Sequence, residues 1–166
     1  MIIEDKKIYV DMDGVIADFN TAFKKLNVDN LTPDEFIKTY SKNKFWNLLD
    51  KHADEFWINI PPMSDANVLM DFIYNNFIDI HILTASTRHP SSKIGKRMWI
   101  RRHFPFIRED NIIVVEEKKL KQKYATPNSI LVDDNTQNIS DWNNAGGIGI
   151  LHKSANDTIK QLQQYV

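Results

Sequence analysis

The sequence predicts an α/β fold: a doubly wound, parallel five-stranded sheet of the Rossmann-like kind, with a small helical cap inserted after the first strand. Five short apolar runs rich in β-branched residues alternate with segments that carry helix starts and stops. Such alternation implies right-handed βαβ units and a parallel sheet covered on both faces. One segment of about 40 residues after the first run has helix signals and no convincing strand, and ordinary connections are far shorter.

The apolar runs are the predicted strands, at residues 8–10, 78–83, 112–115, 130–132 and 148–151. Helix signals fall between them and after the last. The predicted helices are 64–76 with Ser64 as cap, one from Ser91-Ser92 to 103, one from Asn135-Thr136 to the Gly146-Gly147 stop, and 154–165.

The cap is predicted at residues 19–63, and the α/β core at residues 1–18 and 64–166. Thr32, Pro33 and Glu35 form the pattern of an N-cap, a first-turn proline and a capping box. Pro61 and Pro62 close the cap segment.

Composition excludes several classes of function. The 166 residues carry 21 basic and 22 acidic side chains, a net charge of −1, so no broad polynucleotide surface is expected. Without cysteine, disulfides, thiolate metal sites and thiol nucleophiles are excluded. The first residues lack the apolar core of a signal peptide, and no apolar run approaches the roughly 20 residues that cross a bilayer. We therefore expect a cytoplasmic protein without membrane contact, and a homodimer stays an open alternative.

Polar residues follow four of the predicted strands. They are Asp11 and Asp13 after the first strand, Thr84 after the second, Lys118 after the third, and Asp133 and Asp134 after the fourth. In open parallel sheets, ligands bind beyond the carboxyl ends of the strands. Aspartates that converge there repel one another unless a cation compensates, and carboxylate oxygens without histidine or cysteine favour Mg²⁺. One carboxylate can attack phosphorus and a second can protonate the leaving oxygen.

The order and strand positions of these residues resemble the four motifs of the haloacid dehalogenase superfamily of phosphatases. The motifs are Asp11-Met12-Asp13-Gly14-Val15, Thr84, Lys118 and Asp133-Asp134. The resemblance implies an aspartyl-phosphate mechanism, with Asp11 as nucleophile and Asp13 as general acid/base. It also implies Mg²⁺ held by Asp11, by the backbone carbonyl of Asp13 and by the acidic pair, with Asp134 as the direct ligand and Asp133 beside it. Thr84 and Lys118 would bind the phosphoryl group.

Within that superfamily the chain is most similar to the 5'(3')-deoxyribonucleotidases. The similar segments are residues 11–19, 61–63 and 112–118, and Asp133-Asp134 followed by Trp142 and Gly146-Gly147-Ile148. The resemblance implies that Lys96, three residues before Trp99, contacts phosphate and that Phe19 packs on the base. The chain departs from the family pattern at Ala85, where a serine is frequent, with Ser86 as a substitute. The segment between Lys118 and Asp133 is also longer than in the animal enzymes of the family. Lys119, Lys121 and Lys123 are therefore alternatives to Lys118 as the lysine of the third motif.

We therefore expect a Mg²⁺-dependent phosphatase of deoxynucleoside or other nucleoside monophosphates. The same chemistry on a sugar phosphate is the alternative within enzymes, although an aromatic cap favours a nucleotide. A phospho-acceptor receiver domain also groups aspartates, threonine and lysine around Mg²⁺. Its acidic pair comes first and its phosphorylated aspartate later, which is the reverse of the order here, and it has no helical cap.

Overall fold

The computed structural model describes the backbone of residues 3–166 and the side chains from Lys6 onward. Its sheet contains five parallel strands in the order β3-β2-β1-β4-β5. The strands are β1 (Ile3–Val10), β2 (Phe77–Ala85), β3 (Ile112–Val115), β4 (Ser129–Asp133) and β5 (Ile148–Leu151). The five-stranded parallel sheet is thus confirmed. The central strand is the first in the chain, and Val10 at its carboxyl end pairs with Ile82 and Val132.

Helices cover the sheet and build the cap. The helices are α1 (Phe19–Leu26), α2 (Pro33–Thr39), α3 (Lys42–Lys51), α4 (Ala53–Phe56), α5 (Ala66–Asn76), α6 (Pro90–His103), α7 (Thr136–Asn144) and α8 (Ala155–Leu162). Short 3-10 turns lie at Glu109–Asn111, Lys118–Tyr124 and Gln163–Tyr165. No helix within residues 3–166 is long and apolar enough to cross a membrane.

The predicted starts of the helices are confirmed in part. Thr32 and Glu35 form the predicted capping box, and Asn135 and Ser154 cap α7 and α8. The prediction of Ser64 as a cap is wrong, because α5 starts after Asp65. Asp65 does not cap its own helix. Its carboxylate instead accepts a hydrogen bond from the backbone N–H of Ala155 at 2.7 Å, which joins α5 to α8.

The helical cap, α1 to α4, leaves and rejoins the core at neighbouring points. The outgoing and returning chains pair at Ala17 and Pro62. Asp18 N–H donates to the Pro61 carbonyl and Met63 N–H donates to the Ile16 carbonyl, both at 2.8 Å. These bonds keep the cap next to the loop that follows β1. The division into a core of residues 1–18 and 64–166 and a cap of residues 19–63 stays a prediction.

Candidate active site

The loop after β1 carries the first two aspartates. Asp11 continues β1, because its N–H donates to the Val132 carbonyl at 2.9 Å. The chain then turns at Gly14, whose φ of +82° favours glycine. A Cβ atom at Gly14 would lie 2.1 Å from Asp134 Oδ2, so any side chain there would displace that carboxylate. Glycine therefore lets the β1 loop lie directly on the acidic pair.

Three carboxylates converge at the carboxyl edge of the sheet. Oxygen atoms of Asp11, Asp133 and Asp134 lie within 4.8 Å of one another. Asp11 and Asp133 are buried, whereas Asp134 is exposed at the rim. Burial and then the charge of Asp133 raise the pKa of Asp11 to about 7, and the same causes raise the pKa of Asp134 to about 6. The burial of Asp134 is local to its carboxylate, which lies under the Gly14 loop while the rest of the residue faces solvent.

The lysine that reaches these carboxylates is Lys121. Its Nζ donates to Asp11 Oδ1 and to Asp133 Oδ2, both at 2.8 Å, and its side chain is buried. Lys118, which the sequence analysis preferred, is exposed at the start of the 3-10 turn Lys118–Tyr124. Of the lysines that the sequence leaves open, the structure therefore brings Lys121 to Asp11, and the identity of the lysine that binds the phosphoryl group stays a prediction.

Asp133 is held by several donors. Besides Lys121, the side chain of Asn138 donates to Asp133 Oδ2 at 3.0 Å, and the N–H of Asn135 donates to Asp133 Oδ1 at 2.9 Å. Asn138 is a site residue that the sequence analysis missed. It lies in the first turn of α7, five residues after Asp133, and it is buried. Its place at the start of a helix that follows the acidic pair is the signal that the sequence holds.

A second buried ammonium group lies on the other side of Asp13. Lys96 Nζ, on α6, donates to Asp13 Oδ2 at 2.7 Å, to Thr84 Oγ1 at 3.1 Å and to the Ala85 carbonyl at 2.6 Å. Lys96 and Thr84 are both buried, and their role as phosphate ligands stays a prediction. Asp13 Oδ1 is shielded from solvent and has no hydrogen-bond partner among the described residues.

Ser86, the expected substitute for the serine that is missing at residue 85, bonds to the backbone of β3. Its N–H and its hydroxyl both donate to the Val115 carbonyl, at 2.8 and 3.3 Å. Ser86 is thereby bonded to the end of β3. The role of Ser86 as a substitute for the missing serine stays a prediction.

The aromatic rings of the cap surround Phe19, which starts α1. Its ring centroid lies 5.3 Å from Phe56, 5.7 Å from Trp57 and 6.5 Å from Phe45. Phe19 is partly buried and the other three rings are buried, so Phe19 is the most accessible ring of this group.

Polar contacts connect the cap to the loop after β2. Arg88 donates to Asp50 Oδ2 at 2.8 Å and to Asn47 Oδ1 at 3.1 Å, and Ser91 donates to Asp54 Oδ1 at 2.5 Å. The residues that follow Thr84 therefore contact α3 and α4 directly.

Comparison with known proteins gives one matching family. The family described as 5' nucleotidase, deoxy (pyrimidine), cytosolic type C protein matches residues 5–164. The chain is 23% identical over 144 residues to a 5'(3')-deoxyribonucleotidase of Bacillus subtilis, covering 82% of this chain and 80% of that protein. The same values hold for the 5'(3')-deoxyribonucleotidase of Bacillus phage SPbeta.

A structural comparison gives the fold. A haloacid dehalogenase superfamily hydrolase from Geobacter sulfurreducens superposes with a TM-score of 0.57 at 12% identity, covering 95% of this chain and 96% of that one. This likeness identifies the same fold: a parallel α/β sheet.

Proposed function

The chain belongs to the family of 5' nucleotidase, deoxy (pyrimidine), cytosolic type C proteins and is a phosphoric monoester hydrolase; we propose that it hydrolyses (deoxy)nucleoside monophosphates through an aspartyl-phosphate on Asp11. The observation that carries the proposal is the position of Asp11. It lies buried at the end of β1, within 4.8 Å of two further carboxylates and in contact with the Lys121 ammonium. The related 5'(3')-deoxyribonucleotidases support the substrate class.

The donor set fits Mg²⁺. Carboxylate oxygens are the ligands that Mg²⁺ prefers. The pKa values of Asp11 and Asp134 are raised by burial and then by repulsion from Asp133, and a cation bound beside these groups would favour their charged forms. Asp11, Asp134 and the backbone carbonyl of Asp13 would hold the ion. Asp133 would support them, because its two oxygens already accept bonds from Lys121, Asn138 and the Asn135 N–H. Bound there, Mg²⁺ would supply charge neutralisation for the phosphoryl oxygens.

Asp11 acts as the nucleophile in the proposed mechanism. Lys121 donates to Oδ1, which leaves Oδ2 to attack phosphorus. The new Asp11 O–P bond forms as the bond from phosphorus to the nucleoside oxygen breaks. Lys96 and Thr84 bind the phosphoryl oxygens from the α6 side, where both groups are buried and electrostatic attraction is little screened.

Asp13 moves the proton. Its Oδ2 is held by Lys96, whereas its shielded Oδ1 is without a partner in the described part of the chain and can carry the proton for the leaving oxygen. In the second half-reaction Asp13 takes a proton from water, and the water oxygen bonds to phosphorus as the Asp11 O–P bond breaks. Inorganic phosphate leaves and both aspartates return to their starting states.

Phe19 is the proposed contact of the nucleobase. Its ring is more accessible than the Phe45, Phe56 and Trp57 rings around it, and a base offers a flat surface to such a ring. A sugar phosphate has no comparable surface.

A panel of phosphate esters tests the proposal. Purified protein with Mg²⁺ is assayed for phosphate release from deoxy- and ribonucleoside monophosphates, sugar phosphates and an aryl phosphate. We expect the highest kcat/KM for a nucleoside monophosphate. A sugar phosphate that surpasses every nucleotide would contradict the substrate class, and no release from any ester would contradict the chemistry.

A further inference from the structure

Trp57, the residue after α4, lies against the active-site ammonium of Lys96. Lys96 Nζ is positioned over the indole ring, 5.0 Å from its centroid. Both side chains are only 2% exposed, so water hardly screens the contact. A cation within about 6 Å of an aromatic face is attracted by the ring, most strongly by tryptophan and most strongly when desolvated.

The packing of α6 against the cap fixes this contact. A Cβ atom on Gly95 would lie 2.6 Å from the Cβ of Trp57, so only glycine allows the helix to approach this closely. Three residues after Lys96, the indole N–H of Trp99 donates to the Ile60 carbonyl at 2.7 Å. Residues on both sides of Lys96 are thus held against the chain segment that contains Trp57.

The ring contact differs in kind from the other contacts of Lys96. Its three hydrogen bonds go to Asp13, Thr84 and the Ala85 carbonyl, and an ammonium group has three N–H donors. A phosphoryl oxygen can be bound only if at least one of these bonds is exchanged. The indole face uses no N–H donor, so it can hold the ammonium in the same place before and after that exchange.

We propose that Trp57 is a positioning residue, which keeps the Lys96 ammonium at the phosphoryl site through its indole face. The inference rests on the proposed function, because it takes Lys96 as a ligand of the phosphoryl group. Through Trp57 the cap would contribute to phosphate binding as well as to recognition of the rest of the substrate. Loss of the ring therefore weakens turnover of every phosphate ester, including esters that have no base.

The test compares Trp57→Leu and Trp57→Phe with the wild type. The assay measures kcat/KM for a deoxynucleoside monophosphate and for p-nitrophenyl phosphate, and the inhibition constant of inorganic phosphate. A desolvated cation–π contact corresponds to roughly 10- to 30-fold. We expect Trp57→Leu to lower kcat/KM for both esters and to weaken phosphate inhibition by about that factor. Trp57→Phe keeps a weaker ring and should recover most of the loss.

Two further variants separate positioning from packing. Gly95→Ala leaves the indole intact but displaces it, and should reproduce the loss seen in Trp57→Leu. Phe36→Leu is the matched control, because Phe36 is a buried cap ring that packs on Phe23 and Tyr40 and not on Lys96. It should lower the melting temperature without a comparable loss of kcat/KM on p-nitrophenyl phosphate.

A double-mutant cycle with Lys96→Met completes the test. If Trp57 acts through Lys96, Trp57→Leu should have little further effect on the residual turnover of Lys96→Met. The inference is overturned if Trp57→Leu slows only nucleotides, if Phe36→Leu produces the same losses, or if Trp57→Leu acts equally with and without Lys96. All these outcomes require an active wild type, whereas a wild type that hydrolyses no ester contradicts the proposed function itself.

Discussion

Replacing Lys121 with methionine removes a buried ammonium group while nearly preserving the length of the side chain. In the wild type this ammonium lies 2.8 Å from Asp11 Oδ1 and 2.8 Å from Asp133 Oδ2. Burial alone would lower the pKa of Lys121, but the charges of Asp11 and Asp133 outweigh it and hold that pKa well above its usual value. The lysine is therefore charged throughout any practical assay range, and its removal leaves two buried carboxylates without their counterion.

The expected loss of unfolding free energy depends on the hydrogen bonds that each carboxylate retains in Lys121→Met. Asp133 retains the bonds from Asn138 and from the Asn135 N–H, whereas Asp11 loses its ion-pair partner. Breaking a buried ion pair by removing one partner costs about 3–5 kcal/mol. We expect about 3 kcal/mol of lost unfolding free energy, near the lower end, because Asp11 can bind a proton near neutral pH.

The rate of turnover should fall as well. Loss of one preorganised charge at the reacting group costs about 10²- to 10³-fold in kcat. Without Lys121 the nucleophile also binds protons more tightly, so the acid limb of the pH–rate profile should move to higher pH. Urea unfolding and the pH dependence of kcat/KM measure the two effects on the same preparation.

Lys118→Met is the matched control, since Lys118 is exposed at the start of the same 3-10 turn. Exposed substitutions of this kind usually change stability by less than about 0.5 kcal/mol. If Lys118→Met abolished turnover while Lys121→Met behaved like the wild type, the assignment of the lysine from these contacts would be wrong.

Four other changes test the remaining parts of the site. Asp11→Asn should abolish phosphate release, because the amide cannot attack phosphorus. In the presence of a chelator, Asp11→Asn should also remove a pH dependence of the unfolding free energy. In the folded wild type the pKa of Asp11 is raised to about 7, above the unfolded value of about 3.9. The folded state thus binds the proton more tightly, and the unfolding free energy of the wild type should fall by up to about 1.4 kcal/mol per pH unit between about pH 4 and 7. Urea titrations at pH 5 and pH 8 measure this difference. Asp13→Asn should slow nucleotide hydrolysis by about 10²- to 10⁴-fold and aryl phosphate hydrolysis less, and equal losses would argue against a general acid. Chelator should abolish activity and Mg²⁺ should restore it, whereas Ca²⁺ should bind without restoring it, because its looser shell misplaces the reacting groups. Phe19→Ala should lower kcat/KM for a nucleotide by about 5- to 150-fold and spare a small aryl phosphate; an equal effect on both would refute base contact.

The sheet and its polar edge could be predicted from the sequence because both depend on local patterns. Apolar runs such as 130–132 can be recognised without knowing their neighbours, and parallel strands bring the residues after them to one edge. Asp11, Thr84 and Asp133 follow from this rule alone. The capping box at Thr32 and Glu35 is equally local, and it is present as predicted.

The choice among the lysines could not be predicted, because it depends on packing. A 3-10 turn repeats every three residues, so Lys118 and Lys121 lie on the same side of the turn. No pattern within residues 118–124 indicates which of the two ammonium groups contacts Asp11. Asn138 was missed for a similar reason: its contact with Asp133 exists only because α7 packs against the end of β4.

The balance of charge links these residues to the expected metal. Four aspartates lie at the strand ends, and the two buried ammonium groups bond to three of them: Lys96 to Asp13, and Lys121 to Asp11 and Asp133. With all four carboxylates ionised, two negative charges are left over, and Asp134 is the carboxylate without an ion pair in the part of the chain that the structure describes. One divalent cation would neutralise this excess, and a phosphate dianion could then approach Asp11 without net repulsion. Asp134→Asn should therefore raise the Mg²⁺ concentration needed for half-maximal activity. Lys96 should instead affect the binding of phosphate, and Lys121 the reactivity of Asp11.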